Sequence, residues 1–266
     1  MKIFFLGDIV GKSGRLAVIK NLQEILKEKK IDFVIVNGEN AADQGVGITE
    51  KISNELFDCG VDVITTGNHV WDQKETINHI EREARLLRPE NLSINSPGKG
   101  FGIYTSKNGF KVGVLNLMGN VFMKKCDDVF ESATKFINKY KLKEDYDFLV
   151  IDFHGEITSE KMAIGHFFDG KATLVVGTHT HVPTNDVRIL INGTAFQTDA
   201  GMCGDYDSVI GMNKSNSLNR FLKKDSVKHF PANGNATLCG LIVECNISSG
   251  LAKKAEPFIF GGELIK

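Results

Sequence analysis

Residues 172–183 read ATLVVGTHTHVP and join an apolar run to a pair of histidines. The run Ala172 to Val176 predicts a buried strand, and Pro183 disfavours a helix directly after it. His179 and His181 are therefore expected to leave the end of that strand together, on a loop where a metal could be held. Because a His-x-His pair alone is weak evidence for a metal site, the prediction depends on the residues at the ends of the other strands.

Four other apolar runs also end in polar residues. These residues are Asp8, Glu39 with Asn40, Asn68 with His69, and His154. Ligands bind outside the carboxyl ends of the strands in open α/β sheets, so the five clusters are expected at one edge. Each cluster alone is more typical of an ordinary turn. Their number, in a chain with only seven histidines, predicts a metal site.

Other polar residues are assigned elsewhere. Leu6 stands where a P-loop needs glycine, so residues 6–13 do not form a phosphate-binding loop of that type. The histidines at His79, His166 and His229 lie in helical or loop stretches without partners. They are interpreted as structural or solvent-facing.

The spacing of apolar residues alternates between strand and helix patterns over the first two thirds of the chain. Strands are predicted at 2–6, 32–36, 61–65, 111–117, 148–153 and 172–176, and helices at 14–30, near 129–140 and near 159–168. Thr49 predicts a helix cap, and Gly60 the end of that helix. Asp72, with Glu75 three residues later, predicts a capping box for the next helix.

The final third is richer in strands. Residues 187–191 and 193–198 predict a hairpin that turns at Asn192-Gly193, and residues 237–246 predict another strand. Strand-helix alternation followed by a strand-rich end predicts an α/β fold with two stacked sheets. Residues 1–266 are expected to form one domain.

Two regions carry no regular pattern. Residues 91–109 are rich in Gly, Ser, Asn and Pro and are interpreted as loops. Residues 201–235 are the longest irregular region, interpreted either as a flap over the site or as a disordered excursion. Cys203, at the start of that region, is interpreted as an incidental thiol in a loop.

The composition excludes several classes of function. Apolar residues make up 42% and charged residues 24% of the 266 positions, as in ordinary globular proteins. The formal net charge of -1 does not indicate a protein that binds nucleic acid or an anionic membrane through an overall positive charge. Five scattered cysteines without a C-x-x-C pair fit reduced thiols, and no apolar stretch approaches membrane-spanning length. A cytoplasmic protein without a membrane partner is therefore expected.

Taken together, the polar clusters resemble the motifs of the calcineurin-like metallophosphoesterases. The matching residues are Gly7-Asp8, Gly38-Glu39-Asn40, Gly67-Asn68-His69, His154 and Gly177-Thr178-His179-Thr180-His181. More narrowly, the set is similar to the YmdB-type bacterial branch, whose members are cyclic-nucleotide phosphodiesterases. The similarity runs from Met1 to about Met212 and includes the segments at 198–202 and 207–212. The chain departs from the wider superfamily at Val10, where Asp-x-His is usual, and at Glu39-Asn40, where Gly-Asp is usual; the branch shares the second departure.

This resemblance implies a four-layer α-β-β-α sandwich with two stacked mixed sheets and a pair of metal ions bridged by Glu39. One ion would be held by Asp8, Glu39, Asn40 and His181. The other would be held by Glu39, Asn68, His154 and His179. His69 is implied to protonate the leaving group as a general acid, the alternative being that it only orients a ligand.

The implied cofactors are two divalent or trivalent ions. Nitrogen and oxygen ligands without thiolate suit manganese, iron, zinc or cobalt and argue against calcium. Iron or manganese is expected. The expected reaction is hydrolysis of a small 2′,3′- or 3′,5′-cyclic nucleotide by a metal-activated hydroxide. The alternatives are a phosphomonoesterase or protein phosphatase, and a non-catalytic, metal-bound, RNA-associated regulator. The expected partner is a small phosphodiester substrate, and formation of a homo-oligomer stays open.

Overall fold

A computed structural model describes residues 1–224 and 228–264. Its strands are β1 (Lys2–Leu6), β2 (Asp8–Ile9), β3 (Phe33–Asn37), β4 (Val63–Thr65), β5 (Phe101–Thr105), β6 (Lys111–Met118), β7 (Phe148–His154), β8 (Leu174–Thr178), β9 (Arg188–Ile189), β10 (Ala195–Gln197), β11 (Met202–Asp205), β12 (Ala236–Cys245) and β13 (Ala252–Phe260). Its helices are α1 (Gly11–Lys29), α2 (Glu50–Asp58), α3 (Thr76–Ile80), α4 (Val129–Lys139), α5 (Thr158–Phe167) and α6 (Lys214–Phe221). The strand and helix alternation predicted for the first two thirds of the chain is confirmed.

The strands form two mixed sheets. The first has the order β2-β11-β12-β1-β3-β4, with β13 beside β12, and the second has the order β5-β6-β7-β8-β10-β9. In the first sheet β1, β3 and β4 are parallel, whereas β12 runs antiparallel to β1. In the second sheet β6, β7, β8 and β10 are parallel. The carboxyl ends of the parallel strands in each sheet therefore share an edge.

Alternate residues of β1 show how the layers are stacked. Ile3 and Phe5 pack into the core between the two sheets, whereas Phe4 and Leu6 pack on the other face with α1 and α2. A third core lies between the second sheet and helices α4 and α5. Because β1 is buried on both faces, its sequence is a continuous apolar run and not an alternating one. The four-layer α-β-β-α prediction is confirmed.

Several local predictions are confirmed as well. The Thr49 hydroxyl accepts a hydrogen bond from the Ile52 amide at 3.2 Å and caps α2. Gly60 follows that helix with a φ of 107°, a conformation that favours glycine. Strands β9 and β10 form the antiparallel hairpin across Asn192-Gly193, although both are shorter than predicted.

Other local predictions are wrong. Residues 91–109 are not all loop, because β5 lies within them and pairs antiparallel with β6 at the edge of the second sheet. Its sequence, FGIYT, is only half-buried and contains a glycine, so it lacks a clear strand pattern. Asp72 does not cap α3, since the N-cap position is Glu75, which makes no side-chain cap bond.

The region 201–235 is not a disordered excursion where the structure describes it. Residues 202–205 form β11, which pairs with β2 and β12, and α6 follows. Cys203 is accordingly buried in a strand and does not lie in a loop. Part of the prediction, residues 225–227, falls outside the described residues.

The described helices were also compared with the dimensions of a bilayer. Over residues 1–224 and 228–264, none has the length and apolar content needed to cross a membrane. The assignment of residues 1–266 to one domain stays a prediction.

Replacing Phe5 by alanine is expected to destabilise the protein strongly. Phe5 is fully buried between the sheets, and removing such a ring leaves a cavity that costs about 3–5 kcal/mol. The free energy of unfolding, measured by urea titration with circular dichroism, should fall by that amount. Phe221→Ala is the matched control, because Phe221 is 80% exposed and its loss should change the free energy by less than about 0.5 kcal/mol. Equal effects of the two changes would contradict the buried position of Phe5.

Candidate metal centre

Five strands bring the predicted site residues to one edge of the molecule. Parallel strands β1, β3 and β4 precede Asp8, Glu39-Asn40 and Asn68-His69. In the second sheet β7 ends at His154, and its parallel neighbour β8 leads to His179 and His181. The structure thus collects every residue that the sequence nominated. Their roles as metal ligands or as an acid stay a prediction.

One group of side chains is centred on His154. Its Nε2 atom lies 3.0 Å from Glu39 Oε1, 3.0 Å from Asn68 Oδ1 and 3.1 Å from His179 Nδ1. Donor atoms of Glu39, His154 and His179 all lie within 4.8 Å of one another. Two imidazole nitrogens, a carboxylate and an amide oxygen at such distances match the ligand preferences of a first-row transition metal.

A second group lies around Asp8. Its Oδ1 atom is 3.8 Å from His181 Nε2. Both this oxygen and Oδ1 of Asn40 are buried, and neither has a hydrogen-bond partner among residues 1–224 and 228–264. The Asn40 amide nitrogen donates to the Gly45 carbonyl at 2.9 Å, which leaves the amide oxygen as the free atom. A buried oxygen without a partner costs about 1–3 kcal/mol, and a cation would remove that cost. The residues therefore fit a metal ion.

Each of the three histidines has one ring nitrogen in a hydrogen bond or ion pair, as metal-binding histidines commonly do. His154 Nδ1 lies 2.9 Å from the Thr178 hydroxyl, His179 Nε2 lies 3.0 Å from a Glu156 carboxylate oxygen, and His181 Nδ1 lies 2.8 Å from the Ile210 carbonyl. Each ring is held at one nitrogen and directs the other into the cluster. Hydrogen bonds of this kind fix the tautomer and the orientation of metal-binding histidines.

A buried carboxylate, Asp152, ties the two sheets together beneath the cluster. It accepts hydrogen bonds from Asn37 Nδ2 at 2.9 Å, Thr65 Oγ1 at 2.5 Å and Thr178 Oγ1 at 2.7 Å. Burial raises the pKa of Asp152 to about 6, although the positive charge of His154 and the two hydroxyl bonds oppose the rise. Sequence reasoning missed this residue; its one signal was a charged side chain inside the apolar run of β7.

Electrostatic coupling dominates the metal-free cluster. Burial raises the pKa of Asp8. Burial would also raise the pKa of Glu39, but the charge of His154 lowers it to about 2. Burial would lower the pKa of His154, but the charge of Glu39 raises it to about 9. The pKa of His179 is lowered to about 3 by burial and by the nearby positive charge of His154. Without metal, therefore, a protonated His154 pairs with Glu39 and faces a neutral His179.

The His-x-His loop has an unusual backbone. His179 and His181 have φ angles of 95° and 66°, in the region that favours glycine. Thr180, between them, donates to an Asp199 oxygen from its amide at 3.1 Å and its hydroxyl at 2.7 Å. Asp199 is itself paired with the buried Lys161 at 2.6 Å. This buried network holds the bend that the sequence predicts after β8.

His69 lies beside the cluster and not inside it. Its amide donates to Glu39 Oε2 at 3.1 Å, and its ring Nδ1 lies 2.7 Å from Asp72 Oδ2. Asp72 is therefore part of the site, which replaces the capping role predicted from its spacing to Glu75. The His69 side chain is 29% exposed, so its second ring nitrogen can meet a ligand that enters from solvent.

Gly67 provides the space in which two of these side chains meet. A Cβ atom at this position would lie 2.3 Å from His154 Nε2 and 2.4 Å from Glu39 Oε2. Any other residue would therefore displace the centre of the cluster. The remaining histidines His79, His166 and His229 lie outside the cluster, as predicted; His79 is buried against the Ser53 hydroxyl, and His166 is exposed.

Comparisons with known proteins agree with this geometry. The sequence model described as YmdB-like protein matches residues 4–258. The chain is 42% identical over 263 residues to the 2′,3′-cyclic-nucleotide 2′-phosphodiesterase of Bacillus subtilis, covering 99% of this chain and 98% of that protein.

Two solved structures have a similar fold over nearly the whole chain. A hypothetical protein from Thermus thermophilus has a TM-score of 0.89 and 35% identity, covering 99% of this chain and 100% of that one. A structure described as a novel phosphatase from Mycoplasma pneumoniae has a TM-score of 0.90 and 35% identity, covering 98% of this chain and 93% of that one.

Metal binding is expected to release a proton from His154. A metal ligand must be neutral imidazole, and the pKa of His154 is about 9 without metal, so Mn²⁺ at pH 7 should displace about one proton. Apparent affinity should accordingly rise about tenfold per pH unit up to pH 9 and then level off. Titration calorimetry in two buffers of different ionisation enthalpy measures the proton count. His166→Asn should leave it unchanged, and an affinity independent of pH between 6 and 8 would contradict the assignment.

Proposed function

The chain belongs to the YmdB-like protein family and is a phosphoric diester hydrolase, and we propose that its substrates are small cyclic nucleotides, 2′,3′-cyclic before 3′,5′-cyclic. The observation that carries the metal-dependent part of the proposal is the pair of buried, unpartnered oxygens on Asp8 and Asn40 beside the Glu39-His154-His179 group. The substrate class is supported by the name of the Bacillus subtilis relative.

The donor set supports two metal positions that share Glu39. Asp8, Asn40 and His181 would complete one position, and Asn68, His154 and His179 the other. Nitrogen and oxygen donors suit iron, manganese, zinc and cobalt, and iron or manganese is the ion that we propose. Bound ions would lower the pKa of a water molecule, draw charge from phosphorus and attract the phosphodiester anion.

His69 is the residue we assign to the leaving group. Because Nδ1 faces Asp72 at 2.7 Å, Nε2 is the ring nitrogen left to give a proton. The hydrogen bond from the His69 backbone amide to Glu39 Oε2 holds the residue beside the cluster. In the reaction a water oxygen loses a proton to solvent and bonds to phosphorus, the bond from phosphorus to O2′ breaks, O2′ takes the proton from His69, and His69 regains a proton from solvent. The product is a nucleoside 3′-phosphate.

Asp72 acts on the reaction through His69. Its carboxylate accepts the Nδ1 hydrogen, holds the ring in one orientation and stabilises the charge that the ring carries before it donates. The carboxylate also lies 3.5 Å from Lys124 Nζ, which limits its movement. Asp72 is therefore a positioning residue.

Hydrolysis of phosphomonoesters is the second candidate. It is favoured by the description of the Mycoplasma pneumoniae structure as a phosphatase. The charge of the cluster does not separate the two activities, because both substrates are anions. Protein phosphatase activity, an RNA-associated role, a cytoplasmic location and a homo-oligomer all stay predictions.

Removing metal is expected to abolish hydrolysis of 2′,3′-cyclic AMP, and adding Mn²⁺ or Fe²⁺ to restore it. Product formation by chelator-treated protein should be followed by chromatography, with 3′,5′-cyclic AMP and p-nitrophenyl phosphate as comparison substrates. The cyclic diester should be turned over fastest. Silence on both cyclic diesters with turnover of p-nitrophenyl phosphate would overturn the cyclic-nucleotide proposal and favour phosphomonoesters as substrates.

His69→Asn is expected to lower kcat for 2′,3′-cyclic AMP by about 100- to 10,000-fold, the usual contribution of a general acid. Bound metal, measured by mass spectrometry, should stay at the wild-type ratio because the ring is not a ligand. Asp72→Asn should reduce kcat by a smaller factor. The exposed His166→Asn is the control and should match wild type; loss of metal from His69→Asn would refute the acid role.

A further inference from the structure

The segment between β6 and α4, residues 119–126, borders the metal centre and is called here the Phe122 loop. At its start the Gly119 amide donates to the His154 carbonyl at 2.9 Å. Towards its end Lys124 Nζ donates to the Asn68 carbonyl at 2.6 Å and lies 3.5 Å from Asp72. The loop is thus tied to the backbone of two candidate metal ligands that come from different sheets.

The base of this loop is also anchored from below. The Asn120 amide donates to a Glu160 carboxylate oxygen at 2.9 Å, and its side-chain nitrogen donates to the Asp127 carbonyl at 3.0 Å. Asn91 donates to the same carbonyl at 3.0 Å. These bonds fix both ends of the loop and leave its tip to project.

Phe122 occupies the tip. Its side chain is 86% exposed, and it makes no ring contact with another aromatic residue among the part of the chain that the structure describes. Its φ is 60°, a left-handed conformation that costs free energy for a bulky residue. His179 and His181 share this backbone feature in the same site. An exposed ring is common, but one held in a strained conformation on a loop anchored to the site is not.

The short chain connection to Lys124 keeps Phe122 near the rim of the site. Successive Cα atoms are 3.8 Å apart, so the Cα of Phe122 lies within about 8 Å of the Cα of Lys124, whose ammonium group touches the site. A nucleotide with its phosphate at the cluster must extend its base outwards past the rim. A flat apolar ring at the rim offers a stacking surface that every base can use.

We propose that Phe122 is a specificity-determining residue that stacks on the nucleobase of the substrate. The inference rests on the proposed cyclic-nucleotide activity and deepens it. Phe122 supplies binding to the base, whereas the cluster and His69 act on the phosphate. The enzyme therefore distinguishes nucleotides from cyclic phosphates that lack a base, and tolerates different bases.

The test compares two substrates with the same five-membered cyclic phosphate, 2′,3′-cyclic AMP and glycerol 1,2-cyclic phosphate. Phe122→Ala should raise KM for 2′,3′-cyclic AMP by about 5- to 150-fold, the factor that corresponds to 1–3 kcal/mol per stacked base. KM for the glycerol compound and kcat for both should stay within about twofold. Phe122→Tyr should restore the low KM, because it keeps an aromatic ring.

Two further variants separate stacking from other causes. Phe122→Gly relieves the backbone strain and removes the ring, so it should raise KM as Phe122→Ala does. Ile191→Ala is the control, because Ile191 is 97% exposed at the turn before β10, at the opposite edge of the second sheet, and it should behave as wild type.

The outcomes distinguish this inference from the proposed function. Wild-type protein that hydrolyses neither cyclic phosphate would overturn the activity itself. Wild-type protein that hydrolyses both, with Phe122→Ala unchanged or equally impaired on the two substrates, would overturn the stacking role and leave the activity standing. A raised KM in Phe122→Tyr equal to that of Phe122→Ala would also overturn it.

Discussion

The buried Asp152 carboxylate is the interaction on which the geometry of the centre depends. It accepts hydrogen bonds from Asn37 and Thr65 in the first sheet and from Thr178 in the second. The same Thr178 hydroxyl contacts His154 Nδ1. Because that hydroxyl gives its hydrogen to Asp152, it must accept the hydrogen of His154, which leaves the other ring nitrogen free for a metal. One buried carboxylate thus links the two sheets and fixes the tautomer of His154, a candidate metal ligand.

The cluster of polar side chains at the sheet edge above this network lowers the free energy of unfolding when no metal is bound. Asp8 and Asn40 each bury an oxygen that no donor in the described part of the chain satisfies, and His154 carries a proton that offsets the charge of Glu39. A sequence selected for stability alone would pair these groups or replace them with apolar residues. Their persistence inside a well-packed four-layer core is explained if cations complete the site, because each oxygen and nitrogen then gains a partner.

Sequence reasoning was able to predict the residues that depend on local order, and missed those that depend on distant contacts. Asp8 and His154 follow apolar strands directly, so their position at a sheet edge can be inferred from neighbouring residues alone. The partners of Asp152, by contrast, come from β3, β4 and β8, and no local pattern connects them. Asp72 was misassigned because it lies three residues from both Glu75 and His69. The first spacing predicts a capping box, whereas the structure pairs Asp72 with His69. The edge strand β5 was missed because its half-buried sequence, which contains a glycine, shows no clear strand pattern.

The division between strand ends and loops explains how such a site can combine general chemistry with a defined substrate. The candidate metal ligands lie at the ends of strands or in the short segments that follow them, where buried hydrogen bonds to Asp152 and Asp199 hold the strands and the His-x-His loop in place. Loops are constrained only at their anchors, so their tips can differ without disturbing the cluster. The Phe122 loop follows this rule closely, since its anchors are the carbonyls of His154 and Asn68 while its tip projects free. The groups that act on the phosphate are therefore positioned by the two sheets, and the choice of substrate depends on the Phe122 loop, which the sheets hold in place.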